Sequence, residues 1–349
     1  MKQYNVAVVG ATGAVGIEMV KMLEKRDFPV GNLYLFASSR TAGQKLKFKN
    51  KEIIVEDINK INDYSLLATR YSLNLALFSA GAFVSKEWAP RFAEQNIFVI
   101  DNSSCFRMEK DVPLVVPEVN PHTLSKSQKI IANPNCSTIQ MVVVLKPLHD
   151  AAKIRRIIVA TYQAVSGAGG RALDEFQRQI MAWSKNEPIP PAEKLPYRIA
   201  FNVIPQIDIF LENGGGYTKE EMKMVNETKK ILEDNTSTIK ISATCVRVPV
   251  MRGHSEAVWI ETSEKLTPQD VRDILKNAEG VVVVDDPAQK KYPMPIDADG
   301  RQMTFVGRIR KDISSEYGLA FWIVSDNLLK GAALNAVQIA ETLVSKKFL

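Results

Sequence analysis

A short apolar run over residues 6–9 feeds directly into Gly10-Ala11-Thr12-Gly13-Ala14-Val15-Gly16, and a helical pattern follows to about Lys25. Glycines between a first strand and a helix allow a tight turn and close approach of the backbone to a pyrophosphate. The helix N-terminus then offers free N–H groups and a partial positive charge. The spacing G-x-x-G-x-x-G is a variant of the dinucleotide fingerprint. Gly10, Thr12, Gly13, Ala14 and Val15 are therefore candidate cofactor contacts. The alternative is a structural glycine turn, which the strand–turn–helix placement disfavours.

The rest of the chain fits such a start. Short apolar strands at 33–37, 75–79 and 98–100 end in small or polar residues. Strands alternating with helices indicate a doubly wound parallel sheet, whose ligands bind beyond the carboxyl ends of the strands. Ser79 and Gly81 stand at one such end. After about residue 134 the pattern changes to longer strands at 156–162, 239–250 and 256–262, with helices at 172–184 and 219–233. The stretch 187–197, with four prolines, reads as a loop. Residues 327–348 carry apolar side chains at helical spacing and are expected to return to the first domain. The expected architecture is an α/β Rossmann-type domain over residues 1–134 with 327–349, and an α+β domain over 135–326.

The second strand ends in Phe36-Ala37-Ser38-Ser39-Arg40-Thr41, and no acidic residue occurs between Phe28 and Lys51. A carboxylate here would hold ribose hydroxyls and repel a 2′-phosphate. Hydroxyls and a guanidinium can instead hydrogen-bond to that phosphate. Ser38, Ser39 and Arg40 thus point to NADP, with a solvated polar loop as the alternative.

Asn133-Pro134-Asn135-Cys136-Ser137-Thr138 precedes an apolar helix over about 139–148. A cysteine at a helix N-terminus sits where the macrodipole stabilises thiolate, and the exposed N–H groups can hold a developing oxyanion. Asn135 supplies a polar group beside the sulfur. Cys245 lies in a strand pattern and reads as core, and Cys105 lies in a loop. A thiolate enzyme needs a proton shuttle. Of His122, His149 and His254, the last occupies a glycine-containing junction between strands, and that loop placement favours it.

Composition narrows the alternatives. Three cysteines without a Cys-x-x-Cys pair and three histidines give no zinc-like spacing, so no metal is expected. The net charge of +6 comes from dispersed basic residues, which suits small anionic ligands and not nucleic acid. The start has no export signal, and apolar runs such as 141–145 fall far short of the roughly 20 residues of a membrane span. A cytoplasmic protein with no membrane partner is expected.

These motifs, with Asp101-Asn-Ser-Ser-Cys-Phe-Arg107, Thr161 to Gly170, Glu220-Glu-Met-Lys223, Arg247 to His254 and Ser325 to Ala332, resemble the aspartate-semialdehyde dehydrogenases over essentially the whole length. The loops are similar to the bacterial branch of Gram-positive organisms. The resemblance implies NADPH-dependent reductive dephosphorylation of L-aspartyl 4-phosphate to aspartate 4-semialdehyde, a step towards lysine, threonine, methionine and diaminopimelate. It implies Cys136 as the nucleophile that forms a thioester, His254 as acid/base and Gln163 as the residue that positions substrate. It further implies Arg107 and Lys223 on phosphate, Arg247 and Glu220 on the carboxylate and amine, and Ser166, Gly167 and Asn327 at the cofactor. A homodimer through the second domain is expected. Rival readings are N-acetyl-glutamyl-phosphate reductase, whose substrate lacks a free amine, the more distant glyceraldehyde-3-phosphate dehydrogenase, and a nucleotide-sensing protein without turnover.

Overall fold

The computed structural model describes residues 2–349. The chain forms two compact units, one from residues up to Asn135 with Ala332–Leu349, the other from Cys136–Gly331. The return to the first unit thus lies a few residues beyond the Asn327 suggested by the sequence pattern.

The first unit begins with β1 (Tyr4–Val9), α1 (Ala14–Lys25) and β2 (Val30–Ala37). A hairpin follows, β3 (Lys45–Phe48) and β4 (Lys51–Asp57), then α2 (Leu66–Thr69), β5 (Leu75–Phe78), α3 (Ala82–Glu94), β6 (Phe98–Asp101) and β7 (Ile130–Ala132). The sheet order is β3-β4-β2-β1-β5-β6-β7, with parallel pairing throughout except for the antiparallel β3–β4 edge. The centre of the sheet is fully buried: Val6, Val8, Leu75 and Leu77 are all 0% exposed, as expected when both faces are covered. Strand order reverses between β1 and β5, the switch point where such sheets leave a ligand crevice. Gly10 closes β1 there with φ +85°, and a Cβ on it would lie 2.6 Å from the Ser79 carbonyl oxygen after β5. The turn therefore needs glycine for both conformation and space.

The second unit opens with α4 (Cys136–Ala152), β8 (Ile154–Gln163), α5 (Gly170–Ser184), α6 (Lys219–Ile231), β9 (Lys240–Arg247) and β10 (His254–Thr262). It continues through α7 (Pro268–Lys276), β11 (Val281–Val283), α8 (Pro295–Ala298), β12 (Thr304–Lys311) and β13 (Gly318–Ser325). Its mixed sheet has the order β11-β12-β13-β10-β8-β9. Helix α4 packs against β8, β10, β12 and β13, with α6 and α7 on either side of it. This position explains why α4 is apolar all round: Ile139, Met141, Val142, Val144, Leu145 and Leu148 are fully buried. The opposite face of the sheet carries Ile158, Ala160, Tyr162, Ala257, Trp259 and Trp322, none of them fully buried.

The chain re-enters the first unit in α9 (Leu334–Ser345), which packs on α1 and β6. The bidentate Arg26–Glu341 pair, at 2.6 and 2.7 Å, joins α1 to α9. Among the described residues no helix is long and apolar enough to cross a membrane, and no cluster of His, Cys, Asp or Glu could hold a metal ion.

Candidate active site

Cys136 is the first residue of α4, so the helix begins at the sulfur and not at residue 139. It is only partly buried among neighbours that are fully buried. A helix start leaves its first N–H groups without intrahelical acceptors, and the macrodipole favours negative charge there. The one-turn π-helix Leu329–Ala333 lies against this start: a Cβ on Gly331 would fall 2.8 Å from the Cys136 Cβ. Asn135 is buried beside it.

His254 is not in a loop. It is the first residue of β10, paired with Ser325 of β13, and fully buried. Strand β10 begins two residues earlier than the expected 256–262, and its first three residues, His254, Ser255 and Glu256, are polar and all buried. The preceding Gly253 N–H donates to Asn327 Oδ1 (2.9 Å), and Asn327 in turn bonds Ser166 Oγ (2.9 Å). The Ala164 N–H donates to His254 Nδ1 at 3.0 Å. The neutral ring therefore carries its proton on Nε2, an atom with no hydrogen-bond partner in the structure. Burial, then the nearby Arg247 charge, pull the His254 pKa down to about 3, with Glu220 acting in the opposite sense.

Arg247 ends β9, is 5% exposed, and donates Nη1 to the Ala164 carbonyl at 2.7 Å. Burial lowers its pKa, while Glu220 and Cys136 favour its charge. A guanidinium so far above neutrality stays cationic. Gly167 shows how closely these groups converge. A Cβ there would meet Arg247 Nη1 at 2.9 Å and His254 Nε2 at 3.0 Å. Ser166 and Asn327, which the family resemblance places at the cofactor, are here hydrogen-bonded to each other and to the Gly253 N–H before His254, and Gly167 lies against His254 and Arg247.

Helix α6 presents Glu220 and Lys223 on one face. Gln163, at the end of β8, donates to Glu220 Oε1 (3.2 Å) and accepts from Thr161 Oγ1 (3.0 Å). Lys223 Nζ pairs with Glu220 (3.0 Å) and Asp208 (2.9 Å). The i,i+3 ion pair forms, but it is not on a solvated helix face. Burial works against the Lys223 charge, and Glu220 and Asp208 more than offset it, leaving the ammonium above its ordinary pKa. Two contributors went unread in the sequence. Asp208 lies in a loop without periodicity. Thr218-Lys219-Glu220-Glu221 is a capping box, with Thr218 N donating to Glu221 (2.7 Å) and Glu221 N to Thr218 (3.3 Å). Its Thr-x-x-Glu spacing is a legible signal. Glu221 also accepts from Cys245 N (2.9 Å), anchoring α6 to β9. Cys245 is buried, which holds its thiol well above the usual range and makes it inert.

In the first unit, Gly10 to Val15 form the turn and first residues of α1, and Thr12 Oγ1 bonds Thr41 Oγ1 at 2.9 Å. Ser38, Ser39 and Arg40 are exposed just past β2. Asp57, unforeseen, pairs with Ala37 from β4, but its carboxylate accepts from Asn59 N (3.0 Å) as a local cap. Gly81 caps α3. Arg107 is buried, donating Nε to Asn133 O and Nη2 to Asn102 O, both at 2.9 Å.

The semialdehyde dehydrogenase NAD-binding domain family matches residues 5–127, and the semialdehyde dehydrogenase dimerisation domain family matches residues 145–330. An aspartate-semialdehyde dehydrogenase from Aquifex aeolicus is 55% identical, with 98% of both chains covered. The chain belongs to the aspartate-semialdehyde dehydrogenase family. The Bacillus subtilis member is 51% identical over 97% of both chains, so the comparisons do not single out a Gram-positive branch. The Vibrio cholerae aspartate semialdehyde dehydrogenase II solved in complex with ASA is 47% identical, with a TM-score of 0.93 over 99% of both chains. A Candida albicans relative solved with NADP has 28% identity and a TM-score of 0.75 over both full chains. The family's reaction makes this chain an oxidoreductase of amino-acid biosynthesis that acts on the aldehyde of aspartate semialdehyde and has a nicotinamide nucleotide-binding domain.

Proposed function

We propose that the chain uses NADP(H) and that Cys136 carries the acyl group as a thioester. The observation that carries this reading is the buried cluster at the start of α4, where Arg247 and His254 converge beside a partly exposed sulfur. The α4 N-terminus and the Arg247 charge favour the thiolate. The sulfur attacks the acyl carbonyl of aspartyl phosphate, and phosphate leaves with the electron pair of the broken C–O bond. With its proton on Nε2, His254 meets the reacting carbonyl oxygen as a donor, the acid side of acid/base catalysis. A neutral imidazole fits that task, because its depressed pKa keeps it uncharged at neutral pH. Glu220 and Arg247 suit the amine and carboxylate of the amino acid, Lys223 the phosphate, and Gln163 orients the bound acyl group.

NADPH, when bound, supplies the hydride that reduces the thioester to the aldehyde. The chain fits it through the Gly10 turn, the α1 N-terminus and the exposed Ser38–Ser39–Arg40 segment, which leaves room and charge for a 2′-phosphate. The NADP-bound Candida relative supports the same choice. We further propose a homodimer through the second unit, because its sheet leaves one apolar face incompletely covered.

The reading is tested by following nucleotide absorbance with semialdehyde and phosphate, using NADP and NAD in parallel. Turnover is expected with NADP and lost in Cys136→Ala. The double variant Ser39→Ala/Arg40→Ala should lose about tenfold to a hundredfold of its NADP efficiency, the worth of a charge-assisted hydrogen bond. Equal losses with both nucleotides would remove the 2′-phosphate assignment.

A further inference from the structure

Beneath the cluster lies a polar pair that the reaction does not use. Glu256 stands two residues beyond His254 on β10, on the same buried face as Val258 and Ile260. Its strand neighbours are Thr161 on β8 and Ile323 on β13, with Cys245 one strand further on β9. The Thr161 hydroxyl is already donated to Gln163. Glu256 is 0% exposed, and neither carboxyl oxygen has a hydrogen-bond partner. The polar side chain acting on it is Gln140, one turn along α4 from Cys136. Gln140 is also 0% exposed, donates Nε2 to the His254 carbonyl at 3.4 Å, and leaves Oε1 without a partner.

We propose that Glu256 and Gln140 form a buried clip that holds the first turn of α4 against the start of β10, and so positions Cys136 relative to His254. Buried acceptors without donors are satisfied only if one of them carries a proton. Burying an ionised carboxylate without a cation is strongly unfavourable. Glu256 instead takes up a proton, in line with the rise in its pKa that burial causes; the Gln140 amide N–H, which favours the ionised form, is the smaller influence and loses its hold once the carboxyl is neutral. Its O–H then donates to Gln140 Oε1, which gives that carboxyl oxygen and the amide oxygen a partner and leaves Nε2 facing the His254 carbonyl. Strand and helix are thereby tied at the two residues that must meet the same carbon. A leucine here would avoid the buried polar group, yet the sequence keeps a carboxyl, which fits a requirement for geometry in place of bulk stability.

The inference rests on the roles proposed for Cys136 and His254, and steady-state kinetics on the full-length enzyme tests it. Glu256→Gln keeps a neutral donor and acceptor and should stay within about threefold of wild-type kcat. Glu256→Leu and Gln140→Leu should each lose roughly tenfold or more in kcat with KM within about twofold, since ångström-scale misplacement acts on the chemical step. Melting temperatures of the leucine variants should equal or exceed that of wild type. The double leucine variant should be no slower than either single one, the signature of a coupled pair. Wild-type kcat in both leucine variants, multiplicative losses in the double variant, or a Glu256→Gln enzyme as slow as Glu256→Leu overturns the clip. Turnover persisting in Cys136→Ala or His254→Ala would instead overturn the underlying assignment of roles.

Discussion

His254 is the residue whose environment departs furthest from what its neighbours in sequence suggest. Glycine and arginine before it read as a loop, whereas in the fold it starts a strand and gives its Nδ1 lone pair to a backbone N–H. The folded-state pKa of about 3 lies below the ordinary 6.5 of an unfolded chain. Between those values the unfolded state binds more protons, so the stability His254 contributes is complete above about pH 6.5 and falls as pH drops towards 3. Glu256 shifts the other way, so the effect is isolated by comparing wild type with His254→Asn, where Glu256 is common to both. From urea unfolding between pH 4 and 7, wild type should lose stability relative to the variant by at most about 1.4 kcal/mol per pH unit as pH falls. Parallel curves would show that the ring titrates normally. Cys136 was legible because asparagine and hydroxyl residues flank a thiol just before an apolar run. Glu256 was overlooked, although period-two alternation sets it on the face of Val258 and Ile260. A charged residue type suggests solvent, and only tertiary burial shows otherwise.

Elements with strong periodicity were read close to their bounds: α1 ends at Lys25, α5 spans Gly170–Ser184 and α6 spans Lys219–Ile231. The β3–β4 hairpin escaped notice because Lys45, Lys47, Lys51 and Glu52 leave little apolar contrast on an edge. Strands β12 and β13 were also unread, and they matter more, since β13 pairs directly with β10. The π-turn at Leu329–Ala333 lies within a stretch read as ordinary helix, and its Gly331 packs closely on the start of α4. That approach has a measurable consequence. In Gly331→Ala the new methyl would sit 2.8 Å from Cys136 Cβ and 3.2 Å from its Cα, atoms fixed by the backbone. The start of α4 must move, so kcat should fall about tenfold to a hundredfold while overpacking costs about 1–3 kcal/mol of stability. Gly170→Ala meets nothing within 4 Å and serves as the control for both measurements. Equal kinetics in the two variants would show that the contact does not place the sulfur.

Across the whole molecule, the switch from parallel to mixed sheet was visible as a change in strand length and spacing after residue 134. What covers the second sheet was not, since a single chain shows only which face is left open. Tyr162 and Trp322 meet on that face with ring centroids 5.2 Å apart, beside a cavity of about 300 Å³ lined by Ala257, Met294 and Arg310. If a partner covers this face, Ala160→Glu buries an unpaired charge in the contact. Light scattering at micromolar concentration should give twice the 38.9 kDa chain mass for wild type and the single mass for the variant. A wild-type monomer would end the proposal. The division of the chain also bears on synthesis. The second unit is continuous from Cys136 to Gly331, while the first is completed only by Ala332–Leu349. A ribosome therefore releases every residue of the later unit before the earlier one can lay α9 on α1 and β6. The half that is made first is the half that finishes last, and until then it presents unfinished apolar surface to whatever binds nascent chains.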